Sequence, residues 1–317
     1  MNVYIAVIGS MRRTFQALLF CGMLSGALLL GICLAKPPSV SVAKILRILS
    51  QEERESLECF FRDFEVSTYV LFGNKPMAFC GVQTVEPYTP TIAQVYGFMD
   101  SICRLHLENF VQMKGWKTWQ KYKHLFRSSQ FAIIENSSPN ALTIFVINKQ
   151  AFLKQVEENI DYFKEALGND VTSTQVLTDC LESNNLFKDV LQNHEGLLGI
   201  LLGFGRNNAQ LFFRRSQLNN DCSLQECSII KKTLSPSKGF TTLDEEKRDI
   251  YARIGTFNDS EVSDFNPLQL SLPGFVADNN SAETKQLRTE YTRQYKQILK
   301  EYKKGDFLET TLKQYCR

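Results

Sequence analysis

Histidine is scarce in this chain, and its spacing excludes the commonest zinc-binding helix. The 317 residues contain three histidines, and His194-Glu195 is followed by Leu198 where a second histidine would be required. Such a helix needs two histidines four residues apart on one face. We therefore predict no metal site, and no motif indicates an organic cofactor.

Glycine-rich phosphate loops and nucleophile motifs are also missing. Gly203-Phe204-Gly205 would need a third glycine at position 208, where the chain has Asn208. The sequence contains no nucleophile elbow and no family signature around a cysteine. These absences weigh against an enzyme without excluding one.

Charge is missing from residues 17–35, and no acidic residue occurs before position 36. As a helix this run would span about 29 Å, close to the thickness of a bilayer core. Arg12 and Arg13 precede it within a basic leader, residues 1–16, in which Met11 offers an alternative start. A positive flank before an apolar run is typical of an export signal or a membrane anchor. We therefore predict that residues 17–35 contact a membrane.

Three interpretations of this segment remain open. Cys33 and Ala35 fit a cleavage site, whereas the length of the apolar run fits a retained anchor. Lipid modification of Cys33 is a weaker third interpretation, because Ile32 stands where a small residue is preferred. A retained anchor and export after cleavage both place residues 36–317 outside the cytoplasm.

Excess charge of either sign is missing from the rest of the chain. The sequence has 36 basic and 34 acidic residues, and the two arginines before position 36 account for the difference. A neutral body gives no electrostatic reason to expect a nucleic-acid partner. No internal repeat occurs either, so residues 36–317 are predicted to form a single exported domain.

Cysteine is present after the apolar segment in an odd number, which excludes complete internal pairing. Seven cysteines follow position 36, and an exported compartment permits disulfides. Cys222 and Cys227 lie five positions apart in a polar stretch and form the best candidate disulfide. Two free thiols are an equal alternative, because spacing alone does not establish pairing.

Apolar patterning predicts an α+β fold that is predominantly helical with a small antiparallel sheet. Ser50 begins a capping-box pattern, and Asn148 is expected to cap a helix that ends at Gly168. Two short strands are expected around a turn at residues 73–76, and two apolar runs within residues 131–148 predict a hairpin. The remaining expected elements are a helix at 91–113, a polar loop at 219–240, and C-terminal helices at 281–304 and 306–315.

Residues 194–215 combine four glycines with leucines and phenylalanines, and we interpret them as a buried helix–turn–helix. Gly199 and Gly203 are four positions apart and would allow another helix to approach closely. Gly205 would end the first helix by adopting a positive φ. One of the two asparagines that follow would cap the second helix.

The same stretch contains the best candidate site for a ligand or an anion. Its members are the polar side chains that flank the predicted turn: His194, Glu195, Arg206, Asn207 and Asn208. A helix N-terminus offers free N–H groups to an anion. A histidine on an apolar face is, however, more often a hydrogen-bonded core residue than a ligand. An open pocket that held both His194 and Arg206 would favour a hydrolase-like envelope enzyme, whereas their burial would favour a structural role.

Residues 114–127 lack acids and interleave cations with aromatic side chains. Trp116, Lys117, Trp119 and Lys123 are candidate contacts to a membrane surface, because such a face suits lipid headgroups. Single-stranded nucleic acid suits the same pattern. A surface helix whose aromatic residues dock on the core is favoured over both, because the body as a whole is neutral.

The predicted C-terminal helix at 281–304 carries an apolar stripe at near-heptad spacing. Its members are Leu287, Tyr291, Tyr295, Ile298 and Tyr302. Because each tyrosine hydroxyl needs a partner or water, we predict that the tyrosine edges stay accessible beside exposed lysines. The helix is therefore the candidate docking surface for an acidic protein partner, against the alternative of an ordinary solvated amphipathic helix.

Four segments resemble uncharacterised exported proteins of chlamydiae and chlamydia-like bacteria. They are YVLFGNKPMAF at 69–79, HEGLLGILLGFGRNNAQLF from position 194, LPGFVADNNSAETKQLRTEY at 272–291 and GDFLETTL at 305–312. The resemblance implies a Gram-negative envelope location. The membrane that residues 17–35 contact would then be a bacterial membrane, and a retained anchor would lie in the inner membrane with residues 36–317 facing the periplasm. The resemblance carries no activity or catalytic residue to any position. We expect a membrane-anchored or secreted interaction, binding or structural module, with an envelope enzyme and a membrane-surface binder as alternatives.

Overall fold

The computed structural model describes residues 41–83, 113–138, 141–219, 234–257 and 270–317. The charge-free run at 17–35, the candidate disulfide Cys222–Cys227 and nearly all of the predicted helix at 91–113 lie outside these ranges. All contacts given below lie within Val42–Arg317, one of the two units into which the chain divides. Within the described part of the chain, no helix combines the length and the apolar composition needed to cross a bilayer.

Three helices begin the described chain: α1 (Val42–Leu46), α2 (Gln51–Asp63) and α3 (Ser67–Phe72). The predicted capping box of α2 is confirmed. The Ser50 hydroxyl accepts the N–H of Glu53 at 3.2 Å, and the Glu53 carboxylate accepts the N–H of Ser50 at 2.9 Å. Two N–H groups that the first turn of a helix leaves without partners are therefore satisfied.

The prediction of a strand at residues 67–72 is wrong, because these residues form α3. The hydroxyls of Ser67 and Thr68 donate to carbonyl oxygens three positions earlier, at 2.7 and 2.6 Å, which supports a helical turn there. Residues 69–71 are all at most 2 % exposed. A short run that is buried on every side has no polar face, so periodicity does not distinguish a helix from a strand.

Three strands form an antiparallel sheet in the order β1-β3-β2. They are β1 (Met77–Gln83), β2 (Phe131–Ser138) and β3 (Ala141–Asn148). The predicted hairpin at 131–148 is confirmed, with Phe131 opposite Asn148 in the β2–β3 pair. β3 is the central strand, and Met77 of β1 lies opposite its Ile147.

Helices make up most of the remaining described chain. Residues 113–122 are helical (α4) and lead into a 3-10 turn at Lys123–Leu125. After the sheet come α5 (Lys149–Glu158), α6 (Ile160–Leu167), α7 (Ser173–Glu182), a π-helical turn (Leu186–Val190), α8 (Glu195–Leu201), α9 (Arg206–Asn219), α10 (Leu243–Arg253), β4 (Ile254–Thr256), β5 (Val276–Asp278), α11 (Ala282–Tyr302) and α12 (Phe307–Tyr315). β4 and β5 pair as an antiparallel ribbon. The fold is therefore mostly helical with small antiparallel sheets, as the sequence predicts.

The three-stranded sheet contributes side chains to two hydrophobic cores. Leu142, Ile144 and Val146 of β3 enter a core shared with α1–α3, α11 and α12. Phe145 and Ile147 enter a second core shared with α5–α9. Successive side chains of a strand point to opposite faces, so the central strand supplies both cores at once.

The helix predicted from Asn148 to Gly168 is interrupted. Asn148 caps α5 as expected, and its side-chain oxygen accepts the N–H of Ala151 at 3.2 Å. Asn159 separates α5 from α6, and its amide donates to the carbonyl of Gln155 at 2.9 Å. Gly168 then ends α6 at a φ of +116°. Both ends of the prediction are confirmed, and its continuity is wrong.

Helices α11 and α12 agree with the predicted C-terminal helices, and Ser281 caps α11. The predicted accessibility of the tyrosine edges is wrong, because Tyr291, Tyr295 and Tyr302 are at most 7 % exposed. The Tyr302 hydroxyl pairs with the hydroxyl of Thr311 in α12 at 2.9 Å. Lysines on the outer face of α11 are exposed, and docking of an acidic partner on them stays a prediction.

Candidate functional site

A lysine in the turn between α3 and β1 is almost completely buried. Lys75 is 2 % exposed, and its backbone N–H donates to the carbonyl of Tyr69 at 3.3 Å. The carbonyl of the following residue, Pro76, accepts the N–H of Asn148 at 2.9 Å, next to the β1–β3 pairing. These two bonds tie the turn to α3 and to the sheet, and the Lys75 side chain lies inside the protein.

The Lys75 amine has few polar neighbours. Its Nζ donates to the carbonyl oxygen of Leu202 and lies 5.0 Å from the ring centre of Phe204 and 5.7 Å from that of Tyr291. None of the described residues places a carboxylate within ion-pair distance of Nζ, and burial lowers the pKa of Lys75 from 10.5 to about 7. Low-dielectric surroundings disfavour the charged form. Neutral amine and ammonium are therefore both populated near neutral pH.

The turn that follows α8 supplies the acceptor for Lys75. Gly203 and Gly205 have φ values of +72° and +84°, which glycine adopts without steric cost. The Tyr291 hydroxyl donates to the carbonyl of Gly203 at 2.8 Å, and a Cβ at Gly203 would lie 2.7 Å from that hydroxyl. The turn accommodates both the lysine and the tyrosine because it has no side chain at this point.

The prediction that Gly199 and Gly203 mark one close helix contact is half correct. Gly199 lies at the contact of α8 with α9, where an added Cβ would be 2.9 Å from the Cβ of Ala209. Gly203 lies beyond the end of α8 and contacts Tyr291 of α11 instead. The four-residue spacing of the two glycines did not reveal these separate contacts, because α8 ends before Gly203, with Leu202 as its C-cap.

Lys75 lines a cavity of ≈ 520 Å³ whose wall is mostly apolar. β1 contributes Ala78 and Phe79, and much of the remaining wall comes from α8, α9 and residues 273–276. Phe79 is 46 % exposed, so this part of the wall borders solvent. Pockets for small molecules typically measure about 300–1,000 Å³ and combine apolar walls with few polar groups.

Three polar side chains interrupt the apolar lining: Lys75, Glu195 and Asn208. The Asn208 amide donates to the Phe204 carbonyl at 3.0 Å, and its oxygen accepts from the backbone of β5 and from a hydroxyl of α11. Oε2 of Glu195 is buried and has no hydrogen-bond donor within the described residues. Lys75 and Glu195 therefore retain hydrogen-bonding capacity for a ligand.

His194 caps α8 and packs inside the second core. Its Nδ1 accepts the N–H of Leu197 at 3.2 Å, and its ring stacks on Phe213 at 4.0 Å and contacts the edge of Tyr162 at 5.4 Å. The side chain is 6 % exposed, and burial lowers the pKa of His194 from 6.5 to about 4. His194 is not among the residues that line the cavity, and this geometry favours the structural role over the catalytic one.

The predicted anion site at the start of α9 is occupied by a carboxylate of the protein itself. Glu283 of α11 accepts the backbone N–H groups of Asn207 and Asn208 at 3.0 and 3.2 Å. Arg206 forms a two-point ion pair with Asp161 at 2.8 and 2.6 Å. The helix N-terminus attracts an anion as expected, but Glu283 supplies the cap that the sequence assigned to an asparagine.

The two tryptophans of residues 114–127 belong to the core. Trp116 and Trp119 are 4 % and 1 % exposed, and the indole N–H of Trp116 donates to Glu135 at 2.9 Å. The structure therefore gives these indoles a packing role instead of the predicted contact with a membrane surface. Lys117 and Lys123 are exposed, which matches the alternative of a surface helix docked by its aromatic face.

No cluster of histidine, cysteine, aspartate and glutamate side chains suited to a metal ion occurs among the residues that the structure covers. The described cysteines are free thiols: Cys59, Cys80, Cys180 and Cys316. The candidate pair Cys222 and Cys227 lies outside the described ranges. The geometry on which a function can be argued is therefore that of the cavity.

Sequence reasoning missed Lys75 because its neighbours, Asn74 and Pro76, are typical of an exposed turn. The signal that could have found it is the apolar character of both flanks, YVLF before the turn and MAF after it. A turn between two fully buried segments has little access to solvent. A charged side chain in such a turn is therefore expected to be buried.

The substitution His194→Asn should remove a pH dependence of stability between pH 6.5 and about 4. The pKa of His194 is about 4 in the folded protein and 6.5 in the unfolded chain, so the unfolded chain binds the proton first as the pH falls, and stability is lost through that window. Between pH 7 and pH 5, the wild-type protein should lose about 1–2 kcal/mol more unfolding free energy than the variant.

Urea unfolding at both pH values measures this difference. Asparagine retains a side-chain acceptor for the N–H of Leu197, so the variant should fold. Equal losses in the two proteins would contradict a buried, neutral His194.

Comparisons of the chain with models of known protein families, with curated proteins and with solved structures found no match.

Proposed function

We propose that this protein binds an apolar small molecule in the cavity that Lys75 lines. One observation carries the proposal: the cavity measures ≈ 520 Å³, its wall is mostly apolar, and two of its lining polar side chains retain hydrogen-bonding capacity. An apolar wall provides affinity through the hydrophobic effect, and a few polar groups orient the ligand. This is a more specific form of the binding module expected from the sequence.

The alternative of an envelope enzyme built on His194 and Arg206 has less support. The His194 ring is enclosed by Phe213 and Tyr162, and the Arg206 guanidinium is paired with Asp161. Neither side chain lines the cavity. Export and an envelope location stay predictions, because residues 17–35, on which they rest, lie outside the described ranges.

The substitution Leu198→Trp should block binding. Leu198 of α8 is half-buried and lines the cavity, so a larger side chain would occupy space that the ligand needs. We expect the neutral fluorescent probe N-phenyl-1-naphthylamine to bind the wild-type protein with a gain in fluorescence. The variant should bind this probe at least about tenfold more weakly.

Ile48→Trp is the matched control. Ile48 is 61 % exposed and does not line the cavity, so this variant carries an added tryptophan while the cavity is unchanged. It should bind the probe as the wild-type protein does, and thermal unfolding should show that both variants are folded. Absence of binding by the wild-type protein, or equal binding by Leu198→Trp, would contradict the proposed function.

A further inference from the structure

The buried amine of Lys75 lacks acceptors for most of its hydrogen-bonding capacity. An ammonium group has three N–H donors, and one of them reaches the Leu202 carbonyl. The faces of Phe204 and Tyr291 lie 5.0 and 5.7 Å from Nζ and favour a cation. Within the described residues no carboxylate neutralises this charge. The site therefore holds a buried amine whose ammonium form has no counter-ion in the described chain.

We propose that the ligand is a fatty-acid-like amphiphile whose carboxylate pairs with the Lys75 ammonium while its apolar chain occupies the cavity. This inference rests on the proposed function and specifies its ligand. A carboxylate supplies one negative charge and several acceptor sites, so it neutralises the single cation and satisfies its remaining donors.

The charge of the site favours a carboxylate over a phosphate. Lys75 is the only cationic side chain among the described residues that line the cavity. A phosphate monoester carries nearly two negative charges at neutral pH and is usually bound by several arginines or by backbone N–H groups. The backbone N–H groups at the start of α9 are occupied by Glu283. The single positive charge of the Lys75 ammonium is neutralised by the single negative charge of a carboxylate.

Glu195 defines the other polar point of the lining. Its Oε2 is buried without a donor in the described chain, and its negative charge would repel a carboxylate placed beside it. The ligand carboxylate is therefore expected at Lys75 and its apolar chain elsewhere along the wall. Binding does not require a ligand group that contacts Glu195.

Binding of such a ligand should depend on pH through Lys75. Glu195 of α8 lines the same cavity as Lys75. The Tyr291 ring of α11 lies 5.7 Å from Nζ and packs against the Tyr69 ring of α3, and burial raises the pKa of both tyrosines far above neutrality. The pKa of Lys75 is about 7 without ligand, and a bound carboxylate raises it. Affinity for the acid should thus be constant below pH 7 and should fall, by up to about tenfold per pH unit, above it.

The experiment compares laurate with dodecanol, which has the same chain and no charge. Calorimetric titrations of the wild-type protein at pH 6.5 and pH 9 should show at least about tenfold tighter binding of laurate at pH 6.5, and a smaller preference at pH 9. Lys75→Met should bind the two compounds alike, with no dependence on pH. Lys154→Met, at a lysine whose side chain is 74 % exposed, makes the same charge change and should behave as the wild-type protein does.

Three other outcomes would contradict the inference, each for a different reason. Equal binding of laurate and dodecanol by the wild-type protein would reject the carboxylate and leave the proposed function in place. A laurate preference that persists in Lys75→Met would place the carboxylate elsewhere. Failure of the wild-type protein to bind either compound, together with failure to bind the neutral probe, would reject both the ligand and the function.

Discussion

Lys75→Met is expected to raise the free energy of unfolding at pH 7 by about 2–4 kcal/mol. The pKa of Lys75 is about 7 in the folded protein and 10.5 in the unfolded chain. At pH 7 the unfolded chain therefore holds the lysine proton much more tightly than the folded protein does, and this difference lowers the free energy of unfolding of the wild-type protein. Methionine has a similar length and no charge. The gain is partly offset because the Leu202 carbonyl loses its donor.

The dependence of this difference on pH tests its cause. Above pH 7 the unfolded chain retains the lysine proton while the folded protein has lost it, so wild-type stability should rise with pH by up to about 1.4 kcal/mol per unit. The variant lacks this contribution, and the difference between the two proteins should shrink steadily from pH 7 to pH 9 in urea unfolding. A wild-type protein that is more stable than Lys75→Met at pH 7 would show that the amine has a counter-ion.

Glu246→Ala should lower the free energy of unfolding by about 3 kcal/mol or more. Glu246 of α10 is 2 % exposed and accepts two hydrogen bonds from the Arg214 guanidinium of α9, at 2.8 and 2.7 Å. It also accepts the hydroxyl and the N–H of Ser237. The Arg214 guanidinium, helped by Ser237, lowers the pKa of Glu246 from 4.5 to about 2. Removal of the carboxylate leaves a partly buried guanidinium without its counter-ion and releases the segment that precedes α10.

Glu158→Ala provides the matched control on an exposed ion pair. The Lys154 and Glu158 side chains are 74 % and 56 % exposed and lie 3.7 Å apart. Pairs of this kind contribute about 0–1 kcal/mol, so this variant should unfold close to the wild-type protein in guanidinium chloride. Similar losses of unfolding free energy in the two variants would show that the buried ion pair stabilises the protein no more than the exposed pair does.

Local signals account for the parts of the fold that sequence predicted. The hairpin at 131–148 follows from two apolar runs around a short polar turn, and the caps at Ser50 and Asn148 follow from side chains that satisfy N–H groups within three residues. Each of these signals is complete within a short window. None depends on what the rest of the chain does.

Tertiary packing decided the parts that sequence did not predict. Residues 67–72 are helical although their apolar run is equally typical of a strand, because they are enclosed by both the sheet and α11. Burial of Tyr302 and Tyr291 in α11 is possible because their hydroxyls pair with Thr311 and with the Gly203 carbonyl. Those partners are set by the path of other segments and leave no mark in the helix sequence.

The candidate site could not be predicted for the same reason. Its cavity joins the turn at Lys75, the α8–α9 pair and residues 273–276, which lie far apart in the chain. His194 and Arg206 are prominent in the sequence because they flank a glycine-rich turn, yet both are occupied by partners from α6 and α9. Chemical residue type alone does not indicate which side chains retain hydrogen-bonding capacity.

The cap that Glu283 provides for α9 has a consequence for the order of folding during synthesis. The N–H groups of Asn207 and Asn208 are capped by a carboxylate that is synthesised 76 and 75 residues later. The amide of Gln314 likewise donates to the carbonyl of Leu71, 243 positions earlier. These contacts of the earlier segments therefore form only after α11 and α12 have been synthesised, and until then the nascent chain is incompletely folded.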